Sequence, residues 1–365
     1  MQVSAIKFER FQHSADEECQ QRIIAAREKL GKRLVILGHH YQQEGVYKHA
    51  DYTGDSLKLS RQASQVDAEY IVFLGVHFMA EVADILSRPD QIVMLPDLAA
   101  GCSMADMANL AKVERSRREL AKLFDFDEVI TPLTYINSAA DLKAFCGEHG
   151  GIVCTSSNAT KMLEWSFARR EKVLFFPDQN LGRWSGYKMG IPLEQMPVWD
   201  PDQPMGGLTE EEIRNAKILL WKGHCAVHQM FRPQSIIKFR NEYPEGRVIS
   251  HPEAPFEVCL QSDLVGSTEF IVKTIAESEA GTRWLVGTEL NLVNRLAERF
   301  KPEGKIVQFM SHVVCECSTM ARIDPQHLAW TLENLAEDNV VNQIKVLPQE
   351  AELAKLALDR MLEAS

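Results

Sequence analysis

LVILGHHY, residues Leu34 to Tyr41, runs four apolar side chains straight into a glycine, two imidazoles and a phenol. A short apolar run without alternation fits a strand buried on both faces of a parallel sheet. Its polar end fits the carboxyl edge, where open α/β sheets hold their ligands. The same signature recurs along the chain. YIVFLGVHF (Tyr70 to Phe78) and IVMLPD (Ile92 to Asp97) complete a first triplet. DEVITPLTYIN (Asp127 to Asn137), GIVCTSSN (Gly151 to Asn158) and KVLFFPDQN (Lys172 to Asn180) make a second. RVISHPE (Arg247 to Glu253), DLVGSTEF (Asp263 to Phe270) and RWLVGTELN (Arg283 to Asn291) make a third. Helical stretches lie between them, so the fold class is α/β with parallel sheets. Three such units predict a pseudo-threefold arrangement with the strand ends directed to one central active site.

At 365 residues and 45% hydrophobic, the chain can bury enough core for two or three domains. No run approaches the roughly 20 apolar residues of a membrane helix. The first residues, MQVSAIKFERFQHSADEEC, are charged early and do not read as a signal peptide. Eight cysteines without close pairing point to a reducing compartment, and a net charge of -11 argues against a nucleic-acid partner. A cytoplasmic protein, with neither nucleic acid nor membrane as partner, is expected. The C-terminal segments LAWTLENLAEDN and EAELAKLALDRMLEAS read as two amphipathic helices, the second with Leu353, Leu356, Ala357 and Met361 on one face. Both are expected to pack on the first domain. The proline-rich stretch from Met196 to Met205 reads as an ordered surface loop.

Each triplet is followed by a cysteine in small or polar company: Cys102 in AGCSMAD, Cys225 in WKGHCAVH, Cys317 in VVCECSTM. Three distant thiolates without a fourth suggest an iron–sulfur cluster with one iron open to a substrate. Paired CxxC knuckles, which a zinc ribbon needs, are missing. His224 and His228 nevertheless flank Cys225, so a Cys/His zinc lyase or hydrolase is the rival enzyme reading. A non-catalytic redox sensor built on Cys315 and Cys317, which compete for one ligand role, is the other. Cys19, Cys146, Cys154 and Cys259 read as buried small hydrophobes.

The polar strand ends supply the remaining chemistry. His39 and Tyr41 close the first strand. Asp55 and Ser56 look like a helix start. Tyr135 and Asn137, then Thr155, Ser156 and Asn158, then Gly266, Ser267 and Thr268 offer hydroxyl and amide groups beside helix N-termini, which suits an anionic ligand. His251 and Glu253, with proline between them, form an acid/base pair; a glutamate near a dry metal site is expected to have its pKa lifted toward neutrality.

Taken together, HHYQ with GDSL, GVHFMAE, PDLAAGCSMAD, TYIN, CTSSNA, FPDQNLG, KGHCAVH, HPE, VGSTEF and CSTM resemble the quinolinate synthase family over nearly the whole chain. The resemblance implies three analogous αβα domains, three-layered with parallel sheets, over residues 1–108 with the helices of 320–365, residues 109–228, and residues 229–319. It implies one [4Fe-4S] cluster on Cys102, Cys225 and Cys317, with Cys317 preferred over Cys315 by its spacing to Met320. It implies condensation of iminoaspartate with dihydroxyacetone phosphate to quinolinate, releasing phosphate and water, in de novo NAD biosynthesis, with the cluster as Lewis acid. An L-aspartate oxidase or dehydrogenase would supply the iminoaspartate.

By motif, His39, Ser56, Tyr135, Asn137, Ser156, His228, His251, Glu253 and Thr268 match the family's substrate contacts. Tyr41 and Glu253, together with His39, match its catalytic positions, with Glu253 as base. Two departures stand out: Cys315 is an additional thiol, and FCGEHGG lengthens the segment between TYIN and CTSSN, which suggests a longer surface connection.

Overall fold

The computed structural model describes residues 5–313 and 316–365. They divide into two compact units, the first running to Cys102 and resuming over Glu316–Val346, the second holding the other described residues. Three mostly parallel sheets flanked by helices make up the chain, as the strand signatures predict.

In the first unit, β1 (Leu34–His39), β2 (Tyr52–Gly54), β3 (Tyr70–Leu74) and β4 (Ile92–Met94) pair in parallel in the order β2-β1-β3-β4. A two-residue strand, Gln343–Ile344, adds to β4 antiparallel. The second unit holds two sheets. One contains β5 (Ile130–Tyr135), β6 (Ile152–Cys154), β7 (Lys172–Phe176), β8 (Val198–Trp199) and β9 (Ile218–Trp221), in the order β6-β5-β7-β9-β8. The other contains β10 (Arg247–Ser250), β11 (Leu264–Val265), β12 (Arg283–Gly287) and β13 (Ile306–Phe309), in the order β11-β10-β12-β13. Every pairing in both is parallel. β3 and β7 are buried along their whole length, as strands covered on both faces must be.

In all three sheets the first three strands lie in the order second, first, third, and the strand paired beyond the third is β4, β9 or β13; β9 is the fifth of its sheet in chain order, because the edge strand β8 precedes it. Each predicted stretch contains a strand, but the first triplet was assembled wrongly. It omits β2, whose sequence YTG carries no apolar run, and it takes the fourth strand β4 for the third. Cys102, Cys225 and Cys317 each follow the strand that pairs beyond the third in its sheet.

Four further expectations change. Of the two C-terminal helices, Pro325–Ala336 packs on Asp16–Leu30 in the first unit, whereas Pro348–Ala364 packs on the helix Ala140–Glu148 and on β6 in the second. That helix buries Ala354, Ala357, Leu358 and Met361, and leaves Leu356 48% exposed. Most of FCGEHGG lies within Ala140–Glu148, where Phe145 and Cys146 are buried, so the segment is core and not a surface connection. A Cβ at Gly147 would overlap the Leu353 carbonyl, which explains why the two helices need glycine there. The stretch from Met196 to Met205 contains β8, and Trp199 is fully buried with its indole N–H donating to Ser116 Oγ at 2.8 Å. Proline density had signalled a surface loop; burial of a large aromatic overrides it.

Candidate active site

In the first unit, β1 ends on His39, which is buried, and the chain turns at once. The Tyr41 amide donates to His39 Nδ1 at 3.2 Å, and the two rings meet edge to face at 4.7 Å. The glutamines that follow hold a distant turn. Gln42 Nε2 donates to the Met320 carbonyl at 3.2 Å, and Gln43 Nε2 to the Ile323 carbonyl at 2.9 Å. That turn begins at Cys317, whose carbonyl accepts from the Ala321 amide and whose Sγ lies 3.3 Å from Thr319 Oγ1. Asp97, after β4, meets Arg322 at 2.7 Å, tying the segment that carries Cys102 to the one that carries Cys317. Asp55 caps the helix Ser56–Ala63, accepting from the Lys58 amide at 3.0 Å, so the local start signal reads correctly and leaves Ser56 half-buried at its first position. Cys315 lies outside the described residues.

The second unit brings together residues that the chain separates by more than a hundred positions. The Tyr135 hydroxyl, at the end of β5, donates to Glu253 Oε1 at 2.6 Å. The other oxygen, Oε2, lies 3.0 Å from His228 Nδ1 and 3.9 Å from His251 Nδ1. The imidazoles of His228 and His251 sit 4.9 Å apart, and all four side chains are buried. The Asn180 amide donates to the Glu253 carbonyl at 3.2 Å. Cys225 completes the group: its sulfur, a His228 nitrogen and a Glu253 oxygen lie within 4.8 Å of one another.

Electrostatics here reverse one expectation. Burial by itself raises the Glu253 pKa, but electrostatic interaction with the imidazoles of His228 and His251 and hydrogen bonds from His228 and Tyr135 outweigh it and hold the group at about 2. Glu253 is therefore an ionised acceptor, not a carboxyl poised near neutrality. His251 goes the other way: burial holds it down to about 3, so at neutral pH it is uncharged.

A second buried carboxyl, Asp178, is pushed well above the carboxylate range by burial, with the charge of Glu253 adding to it. Two carboxyls displaced in opposite directions are the usual mark of an acid and an acceptor sharing one site. Asp178 also caps the helix Gln179–Lys188, accepting from the Leu181 amide at 2.6 Å, and receives the Cys225 amide. The Gln179 amide donates to the Gly223 carbonyl at 3.0 Å, and a Cβ at Gly223 would overlap the Pro177 carbonyl. The loop carrying Cys225 thus lies directly over the end of β7. Sequence reasoning missed Asp178 and Asn180; the signal was the Pro-Asp ending of KVLFFPDQN, noted only as a strand end.

The other predicted residues stand at corresponding strand ends. Asn137 Oδ1 is buried and meets no donor among the described residues, and neither does Asp178 Oδ2. Ser156 is half-buried between β6 and the helix Ala159–Phe167. Thr268 is the buried first residue of the helix Thr268–Glu277, capped by Ser267. Among the described residues neither bonds to Glu253. The sheet order explains the pattern. First strands end in His39 with Tyr41, Tyr135 with Asn137, and His251 with Glu253; second strands lead into Ser56, Ser156 and Thr268.

The family model described as quinolinate synthetase A protein matches residues 21–363. The quinolinate synthase of Acidobacterium capsulatum is 55% identical over 351 residues, 96% of this chain and 93% of its own. That of Rhodopirellula baltica is 55% identical over 359 residues, covering 95% and 91%. That of Corynebacterium glutamicum is 52% identical over 355 residues, covering 97% and 89%.

Proposed function

The chain belongs to the quinolinate synthetase A family, and from that premise we infer how its own residues carry the reaction. It is an enzyme of NAD biosynthesis with quinolinate synthase activity. The substrates that this activity implies are iminoaspartate and dihydroxyacetone phosphate, so the ligand is an anion with carboxylate and phosphate groups.

The family carries an iron–sulfur cluster, and the donor set of this chain fits one. Burial raises the thiol pKa of Cys19, Cys146 and Cys154, and pushes that of Cys259 up to about 12, which leaves these four poor thiolate donors. Cys102, Cys225 and Cys317 are half-buried and each follow the strand that pairs beyond the third in its sheet. This recurrence is the observation that carries the reading: these three hold a [4Fe-4S] cluster, one per chain, with one iron left open. Bound there, the cluster supplies Lewis-acid polarisation of a substrate oxygen without redox change.

The protein groups do the rest. Tyr135, Asn137, Ser156, Thr268, His39 and Ser56 bind and orient the anionic groups, the unsatisfied Asn137 Oδ1 being available to a donor on the ligand. His228 and His251 bracket Glu253 Oε2. Glu253, ionised, accepts from Tyr135 at Oε1 and orders His228 at Oε2; proton removal from the substrate depends on that ordered pair, with Tyr41 serving the isomerisation and dehydration steps. Asp178, whose protonated form burial favours, is the complementary acid. Burial of Tyr135, Asp178, His228, His251 and Glu253 keeps water from competing for those protons.

No described helix is long and apolar enough to cross a membrane, and a thiolate-held cluster suits the reducing cytoplasm. Because iminoaspartate hydrolyses readily, an L-aspartate oxidase or dehydrogenase is its expected source. The test is iron, sulfide and quinolinate formation on protein purified without oxygen. About four irons and four sulfides per chain, with quinolinate formed from the two substrates, are expected. Zinc in place of iron, or no cluster after reconstitution, overturns the cluster assignment.

A further inference from the structure

Cys225 Sγ, an imidazole nitrogen of His228 and a carboxylate oxygen of Glu253 form a mixed sulfur, nitrogen and oxygen set spanning no more than 4.8 Å. Three such donors with a fourth position left over are the composition of an open zinc site. Tetrahedral zinc, at about 2.0–2.3 Å from its ligands, sets them roughly 3.5 Å apart, so from a span of 4.8 Å the group needs to contract by about 1.3 Å at most. His228 Nδ1 and Glu253 Oε2, at 3.0 Å, are already that close. The outer partners are also in place. Tyr135 holds the second oxygen of Glu253, and Asp178 holds the amide of Cys225. Outer contacts of this kind fix ligand orientation in metal sites.

We propose that the chain without its cluster binds one divalent transition cation, Zn2+ above all, on Cys225, His228 and Glu253. The thiol of Cys225 gives its proton to solvent, the proton that His228 holds toward Glu253 leaves Nδ1 for Nε2 or for solvent, and the freed nitrogen and the carboxylate then donate lone pairs. A consequence rests on the function proposed above: a cation on Cys225 removes a thiolate that the cluster requires, so the two occupancies exclude one another. Zinc binding is then a block on cluster assembly, relieved by chelation.

The probe is Co2+, titrated without oxygen into the full chain before cluster reconstitution. One cation per chain with a thiolate-to-cobalt charge-transfer band is expected, displaced by Zn2+. The band is lost in Cys225→Ser and retained in Cys102→Ser and Cys317→Ser. Affinity falls by at least the roughly 10- to 100-fold that outer partners alone contribute in His228→Gln and in Glu253→Gln. Unchanged affinity in both of those variants overturns the site, as does equal dependence on all three cysteines, which would put the cation on thiolates alone. A measurement on the unaltered chain guards against variants that misfold: protein preloaded with Zn2+ takes up iron and sulfide only after chelation, and uptake undiminished by Zn2+ overturns the exclusion. Cluster assembly in Cys225→Ser would defeat the cluster reading instead, and leaves the cobalt result to be judged independently.

Discussion

Replacing Tyr135 by phenylalanine removes one hydroxyl and leaves the ring, so it tests the charge state of Glu253 with little change of packing. The carboxyl lies at about 2 against an ordinary 4.5, a preference for the charged form of about 3 kcal/mol. Hydrogen bonds to charged groups contribute about 1.5–3 kcal/mol each. Here His228 and His251 supply more than Tyr135 does, so the low end, about 1.5 kcal/mol, is the expected loss. That is about one pKa unit, which moves Glu253 to about 3 and leaves it ionised at neutrality. Because the folded pKa is depressed, the stabilisation it represents is present above the unfolded value and fades as pH falls through the folded value. The difference between Tyr135→Phe and the unaltered chain is therefore flat from pH 7 to pH 5 and narrows only between about 3 and 2. Denaturant unfolding of both proteins at several pH values measures it. A loss below about 0.5 kcal/mol, as at an indifferent surface site, refutes the ionised, buried carboxylate. So does a difference that widens from pH 7 to pH 5, which would mean that the hydroxyl favours a protonated carboxyl.

Three further outcomes are expected. Cys317→Ser loses the visible absorption and iron content of the cluster while Cys315→Ser keeps both; an intact cluster in the first variant removes Cys317 from the ligand set. Glu253→Gln retains iron and sulfide but loses turnover by about 10²- to 10⁴-fold, the range of a positioned proton-transfer group; near-normal quinolinate formation would take Glu253 out of the chemistry. Gly147→Ala forces the helix Pro348–Ala364 off its partner and costs about 1–3 kcal/mol by overpacking, read as a lowered unfolding midpoint; an unchanged midpoint would mean that the close approach at Leu353 is not needed.

What was local in the sequence was legible. Apolar runs such as LVILG and KVLFF announce strands because their burial on both faces is written in consecutive residues. Asp55 and Ser267 announce helix starts because a cap is satisfied within three positions. The three cysteines stood out by their small and polar neighbours, and the motif set placed the chain in its family without any structure.

What needed the tertiary structure was pairing across distance. β2 is three residues long and owes its existence to β1, so no window of sequence could count it, and the first triplet was misassembled for that reason. Trp199 and Gly147 are buried by partners far along the chain, against a composition that read as loop. The charge of Glu253 was decided in the same way. An expectation of desolvation pointed upward, while His251 within HPE, together with Tyr135 and His228, 118 and 25 positions away, pulled it down. A pKa is set by what surrounds a group within a few ångströms, and sequence order alone does not say what that will be.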